Sequence, residues 1–210
     1  MLFGNKELIF DKPLVMGIIN ITTDSFSDGG KFISNNLTSE FDLRKIIKEI
    51  DFLEKSGASF IDIGAESTRP GYSPISTQEE LDRLIPVLEL ISETKSIISI
   101  DTRKPEVMKE VLKFPIGLIN DVSGLTSISG KKLVKNHNVP ICVMHNSRDR
   151  TKSLEEDIDS FFKAQINQLT IFGIKEQNII LDPGLDTIKH LKKIKNCFLI
   201  SIILNTKIRF

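Results

Sequence analysis

Six short apolar runs punctuate this chain: Leu14–Ile19, Phe60–Ile63, Ile97–Asp101, Ile116–Asn120, Val139–Met144 and Ile179–Asp182. Each gives way at once to polar residues. Runs this short and this apolar read as strands buried on both faces, which is the habit of parallel sheets. A parallel strand needs a crossover to reach its neighbour, and helical patterns lie in the gaps. Strand and helix alternating in one register predict a β/α barrel or a doubly wound sheet.

The helical patterns carry their own start and stop signals. Ser39 with Asp42 reads as a capping box ahead of Leu43, Ile46, Ile47, Ile50 and Leu53, and Gly57 is placed to end that helix. Ser76 with Glu79 opens the next, carrying Leu81, Leu84, Ile85, Leu88 and Ile91; Pro86 inside it predicts a kink or a broken turn. Pro105 marks a first helical turn. Ser153 with Glu156 opens a helix carrying Ile158, Phe161, Phe162, Ile166 and Leu169. The first dozen residues are expected to form a hairpin under the sheet.

Length and charge narrow the classes. The 210 residues suffice for one domain, 1–210, with a substantial core. Lys plus Arg number 28 and Asp plus Glu number 28, so no net charge draws the chain to nucleic acid or an acidic membrane. No apolar run approaches the ~20 residues of a membrane span. Cys142 and Cys197 belong to no metal-binding spacing, and Cys142 reads as a buried, inert thiol. Two free thiols and no secretory leader fit the cytoplasm.

Chemistry collects where parallel strands end. The first run discharges into Asn20–Gly30, NITTDSFSDGG, which crowds groups able to hold a cation and an anion. Asn20 is suited to a hard cation such as Mg²⁺ or to capping a turn. Asp24 and Asp28 add carboxylates, and Phe26 among polar residues suits a lid over substrate. The second run ends in GAESTRPG, where Thr68 and Arg69 are fitted to phosphate. Asp62, inside that strand, needs a partner: a salt bridge or a ligand. Asp101, Asn120 and Asp182 end three further strands. Each alone is a plausible helix cap; together they suit a ring with several N–H donors. Met144 and His145 end the fifth run. Met144 belongs to the core or lies against a flat ring, and His145 is structural or functional in equal measure.

MGIINITTDSFSDGG, IDIGAESTRPG, SIDTRKPEV, INDVSGL, VMH and LDPG, in this order, resemble the dihydropteroate synthase family from about residue 13 to Gly184. The wider pterin-binding group shares the Asp and Asn exits, whereas DSFSDGG with ESTRPG is specific to the synthases. The resemblance implies a (β/α)8 TIM barrel, here incomplete with about six to seven β/α units. It implies a transferase of folate biosynthesis that joins 6-hydroxymethyl-7,8-dihydropterin diphosphate to p-aminobenzoate and releases diphosphate. Mg²⁺ is the implied cofactor and a homodimer the implied assembly. Carried over by position, Asn20 would bind Mg²⁺ and diphosphate, and Thr68 and Arg69 would contact diphosphate. Asp101, Asn120 and Asp182 would hold the pterin edge, with Met144 against its ring. Asp24, Phe26 and Asp28 would close over p-aminobenzoate, and Asp62 would steady the loops or the pterin cation. Thr23 stands where the family's first motif has Pro.

The resemblance lapses after Gly184. The family's glycine-rich GFGK-type segment, its Ser-Arg-Lys motif and its late Arg-x-His motif have no counterpart, and Lys207 and Arg209 do not match by spacing. One electrostatic group of this kind is worth ~10²–10³ in rate. Two expectations follow: an active synthase, completed by a second C-terminal chain or by sequence beyond this gene model, or a non-catalytic remnant that at most binds pterin. A barrel left at six or seven strands is also expected to expose strand edges.

Overall fold

The computed structural model describes residues 1–21, 43–66, 73–91, 94–146 and 151–184. A hairpin comes first, β1 (Leu2–Phe3) and β2 (Lys6–Glu7). Six parallel strands then follow in chain order within one sheet: β3 (Met16–Asn20), β4 (Phe60–Gly64), β5 (Ile97–Asp101), β6 (Leu118–Asp121), β7 (Ile141–Met144) and β8 (Ile179–Asp182). Helices α1 (Leu43–Lys55), α2 (Thr77–Leu90), α3 (Pro105–Val111), α4 (Ile128–His137) and α5 (Leu154–Phe172) lie between them. This is an incomplete α/β barrel, with β3 and β8 at the two edges of the sheet among the described residues.

Alternation along each strand sorts side chains between two layers. Ile19, Ile61, Ile63, Ile98, Ile100, Ile119, Ile141 and Val143 turn outward and are buried with Ile46 and Ile50 of α1, Leu84 and Val87 of α2, and Val107 and Met108 of α3. Each such side chain contributes about 1.5–3 kcal/mol when fully buried. The opposite faces turn inward. Their lower layer is apolar: Phe3 of the hairpin packs with Phe60, Ile97, Leu118 and Ile180, its ring edge-on to Phe60 with centroids 5.0 Å apart. The expected hairpin therefore plugs the barrel floor. Lys6 Nζ fastens it by donating to the carbonyls of Thr94 (2.6 Å) and Ser96 (2.7 Å). Ile18 lies on the inner face of β3 and is 65 % exposed, because an edge strand has a neighbour on one side only. Cys142, also inward and half-buried, is a free thiol whose ionisation burial and then the Asp182, Asp62 and Asp101 carboxylates oppose. That fits an inert cysteine.

The local signals act mostly as expected. Ser76 Oγ accepts the Glu79 amide, and Ser153 with Glu156 forms a full capping box. Gly57 leaves α1 at φ +94°. Pro105 sits in the first turn of α3. The capping pair Ser39–Asp42 lies outside the described residues. Pro86 does not break α2, which continues to Leu90; Val87 and Leu88 beyond it are buried, and that packing outweighs one missing backbone donor. Helix α4 lacks a strong apolar stripe and was not legible beforehand. Ser127 caps it, and Asn138 ends it in the left-handed region at φ +50°.

Candidate active site

Register places Asn20, Gly64, Asp101 and Asn120 in one row at the carboxyl end of the sheet, and Met144 and Asp182 two residues beyond Cys142 and Ile180, which continue that row. Gly64 pairs with Asn20 on one side and Asp101 on the other, Asp101 pairs with Asn120, and Met144 pairs with Asp182. All but Gly64 carry side chains on the inner face, above the apolar floor. Gly64 has no side chain to intrude: a Cβ there would lie 3.4 Å from Asp101 Oδ2 and 3.5 Å from Asn20 Oδ1. Those two oxygens therefore converge over one glycine. Hard oxygen donors in this number suit Mg²⁺, which keeps waters and substrate phosphates in its remaining positions. Among the described residues no group of three His, Cys, Asp or Glu is arranged to enclose a metal on its own.

Asp62 lies one layer down, 5 % exposed. Its partners are neutral: Ser99 Oγ donates to Oδ1 (2.5 Å) and Asn120 Nδ2 to Oδ2 (3.0 Å). A salt bridge is thus not what satisfies it. Burial raises the Asp62 carboxyl above its ordinary range, the two hydrogen bonds pull against that, and Asp182 adds to it. Asp101 is pushed further up, by burial first and then by Asp62, Asp121, Glu80 and Glu66. Three carboxylates, Asp62, Asp101 and Asp182, thus face one low-dielectric interior, an environment that favours N–H donors and positive charge.

The helix-cap alternatives resolve against Asp101 and Asn120. Lys104, not Asp101, occupies the cap of α3. After β6 the turn is held by Asp121, whose carboxylate accepts from the Ser123 amide and hydroxyl and from the Leu125 amide. Asn120 is left for the interior, its Oδ1 buried and without a hydrogen-bond partner. Asp182 Oδ1 accepts the Gly184 amide at 2.8 Å, so this residue also shapes its own turn. His145 is buried edge-on to Phe161, with Nε2 3.2 Å from Asp157 Oδ2. Asp24, Phe26, Asp28, Thr68 and Arg69 lie outside the described residues.

A charged network behind the mouth escaped sequence reasoning. Lys104 Nζ donates to Glu66 Oε2 (2.6 Å), Glu80 Oε2 (2.6 Å) and the Ile75 carbonyl (2.8 Å). Glu66 also accepts from Arg103 and from the Ile75 amide, and Glu80 accepts from Thr102. Burial would raise the Glu66 carboxyl, but Lys104 and Arg103 hold it below its ordinary value. Arg83 Nη1 donates to the Ala65 carbonyl (2.8 Å) and the Ile21 carbonyl (3.4 Å), fixing the backbone where β4 and β3 end. Only the placing of Glu80 and Arg83 on the buried stripe of α2 could have signalled this.

Comparison with known proteins agrees with this architecture. The pterin binding enzyme family matches residues 16–205. Dihydropteroate synthase of Clostridium beijerinckii is 42 % identical over 190 residues, covering 88 % of this chain and 67 % of that protein. The Escherichia coli K12 dihydropteroate synthase is 36 % identical over 195 residues, covering 88 % and 66 %. Among solved structures, Yersinia pestis dihydropteroate synthase in a sulfonamide drug complex superposes with a TM-score of 0.77 at 35 % identity, covering 88 % of this chain and 67 % of that one. The Xanthomonas albilineans synthase with 4-aminobenzoic acid gives 0.73 at 36 % identity, covering 84 % and 63 %. The chain spans about two thirds of the length of the relatives it matches. With its ordered strand motifs, its parallel sheet and these relatives, the chain belongs to the dihydropteroate synthases of the pterin-binding enzyme family.

Proposed function

We propose that this chain supplies the pterin half of a dihydropteroate synthase site, condensing 6-hydroxymethyl-7,8-dihydropterin diphosphate with p-aminobenzoate to give 7,8-dihydropteroate and diphosphate. The observation that carries this is the set of acceptors Asp101, Asn120 and Asp182 at the carboxyl end of one inner face, over a layer holding Asp62. The C–O bond to diphosphate breaks, the aryl nitrogen bonds to the freed carbon, and that nitrogen loses a proton. Positive charge on the pterin side is held by the carboxylates rather than by a general base. Met144, half-buried and paired in register with Asp182, would lie against the ring. Asn20, with Asp101 beside it, would hold Mg²⁺, which when bound would stabilise the departing diphosphate charge. Thr68 and Arg69 would contact that diphosphate, and Asp24, Phe26 and Asp28 would cover p-aminobenzoate. A cytoplasmic location goes with this proposal, supported by the free Cys142 thiol; no described helix is long and apolar enough to cross a membrane.

Cations for the leaving group are the part of the site that the family's later motifs would supply, from a complementing C-terminal chain. A coupled assay of dihydropteroate formation tests this with the 210-residue chain alone and with a C-terminal piece of a relative added. Turnover in either arm supports the synthase, and Asn20→Ala should then weaken its Mg²⁺ dependence. No turnover in either arm, with pterin still bound, leaves the pterin-binding remnant as the better description.

A further inference from the structure

We infer that Ser99 and Asp62 are positioning residues that fix the hydrogen-bond polarity of Asn120, so that the site presents an acceptor and selects a pteridine ring bearing an N–H at that point. The inference rests on the proposed pterin site and deepens it. An Asn amide is ambiguous by itself, since one end donates and the other accepts. Here one end is committed. The Asp62 carboxylate only accepts; Ser99 Oγ occupies Oδ1 at 2.5 Å and Asn120 Nδ2 occupies Oδ2 at 3.0 Å. With the NH₂ spent, Oδ1 is what remains, and it is buried without a partner. A buried acceptor left unmade is unfavourable, and a ligand N–H is what relieves it. Ser99 touches no expected ligand; it lies on the inner face of β5, fully buried, opposite Asp62 in register.

Reversing the chain of donors should reverse the selection. In Asp62→Asn, Ser99 still donates to the new amide oxygen, and the new NH₂ points at Asn120. The Asn120 amide then turns its oxygen inward and offers its NH₂ to the mouth. Ser99→Ala loosens the same chain at its origin.

Binding to the full chain, followed by calorimetry, checks this with three rings: 6-hydroxymethyl-7,8-dihydropterin, its oxidised form with no N–H at N8, and the 2-oxo counterpart lacking the 2-amino group. The wild-type chain should prefer the dihydropterin over at least one of the other two. Asp62→Asn should shrink that preference by about tenfold or more, a site built to hydrogen-bond one polarity being a poor host for the other. Ser99→Ala should shrink it less and in the same direction, and it decides the matter alone if Asp62→Asn does not fold. Equal binding of all three rings by the wild type, an unchanged preference in the variants, or an equal loss of affinity for every ring overturns the inference and leaves the pterin site standing. Failure of the wild type to bind any of the three overturns the proposed site and the inference together.

Discussion

Asp101 shows how a single residue is held at odds with stability. Its carboxyl is pushed well above the ordinary value by burial and by Asp62, Asp121, Glu80 and Glu66. A raised native pKa means that the folded chain binds more protons than the unfolded one between the two values. Stability therefore falls as pH rises through that window and stays lower above it. Asp101→Asn removes the penalty. It should raise Tm at neutral pH, by about 2–4 °C per kcal/mol relieved, with the gain fading below the ordinary carboxylate value, while pterin binding is lost. Calorimetric melts from acid to neutral pH check the sign. Lys104 stands oppositely. Lys104→Met leaves the buried Glu80 without its cation and Glu66 with Arg103 alone, and should cost about 3 kcal/mol, read as a shift in the urea midpoint. Asp101 was legible from its place at a strand end. Ser99 and Lys104 were not, because a lone Ser in an apolar run and one Lys before a Pro carry no spacing signal; their roles exist only through residues 37 and 24–38 positions away.

At the scale of elements, boundaries followed local chemistry wherever a cap or a glycine set them. Strands β5 and β8 match their apolar runs, and β3 and β6 begin two residues inside theirs. Gly117 lies just ahead of β6. A Cβ there would meet Ile97 Cγ2 at 2.6 Å and Phe3 Cβ at 3.0 Å, so the hairpin plug sits directly on this glycine. Gly117→Ala should push the plug away and destabilise by about 1–3 kcal/mol, with the largest rise in amide exchange expected at Leu8, which bonds to the Met1 carbonyl. Helix α4 was invisible because its apolar stripe is thin and tertiary packing, not periodicity, holds it.

For the whole molecule, the inner layers divide labour. Phe3, Phe60, Ile97, Leu118 and Ile180 close the floor, and the acceptors sit above. A chain of marginal stability relies on such a plug. Phe3→Ala opens a cavity where the hairpin and four strands meet, and should cost about 3–5 kcal/mol, measurable as a lowered midpoint of cooperative unfolding. The six parallel strands and the family were readable from the chain, since short doubly buried runs ending in Asn, Asp and Gly have few other uses. The set of acceptors was foreseeable in kind, because strand ends share one side of a parallel sheet. Which atoms accept, which amide end is spent, and which charges stand behind them were decided only when register brought Asp62, Ser99 and Asn120 within hydrogen-bond reach. Strand identity is local and shows in periodicity. Hydrogen-bond direction belongs to groups far apart in sequence, and only folding determines it.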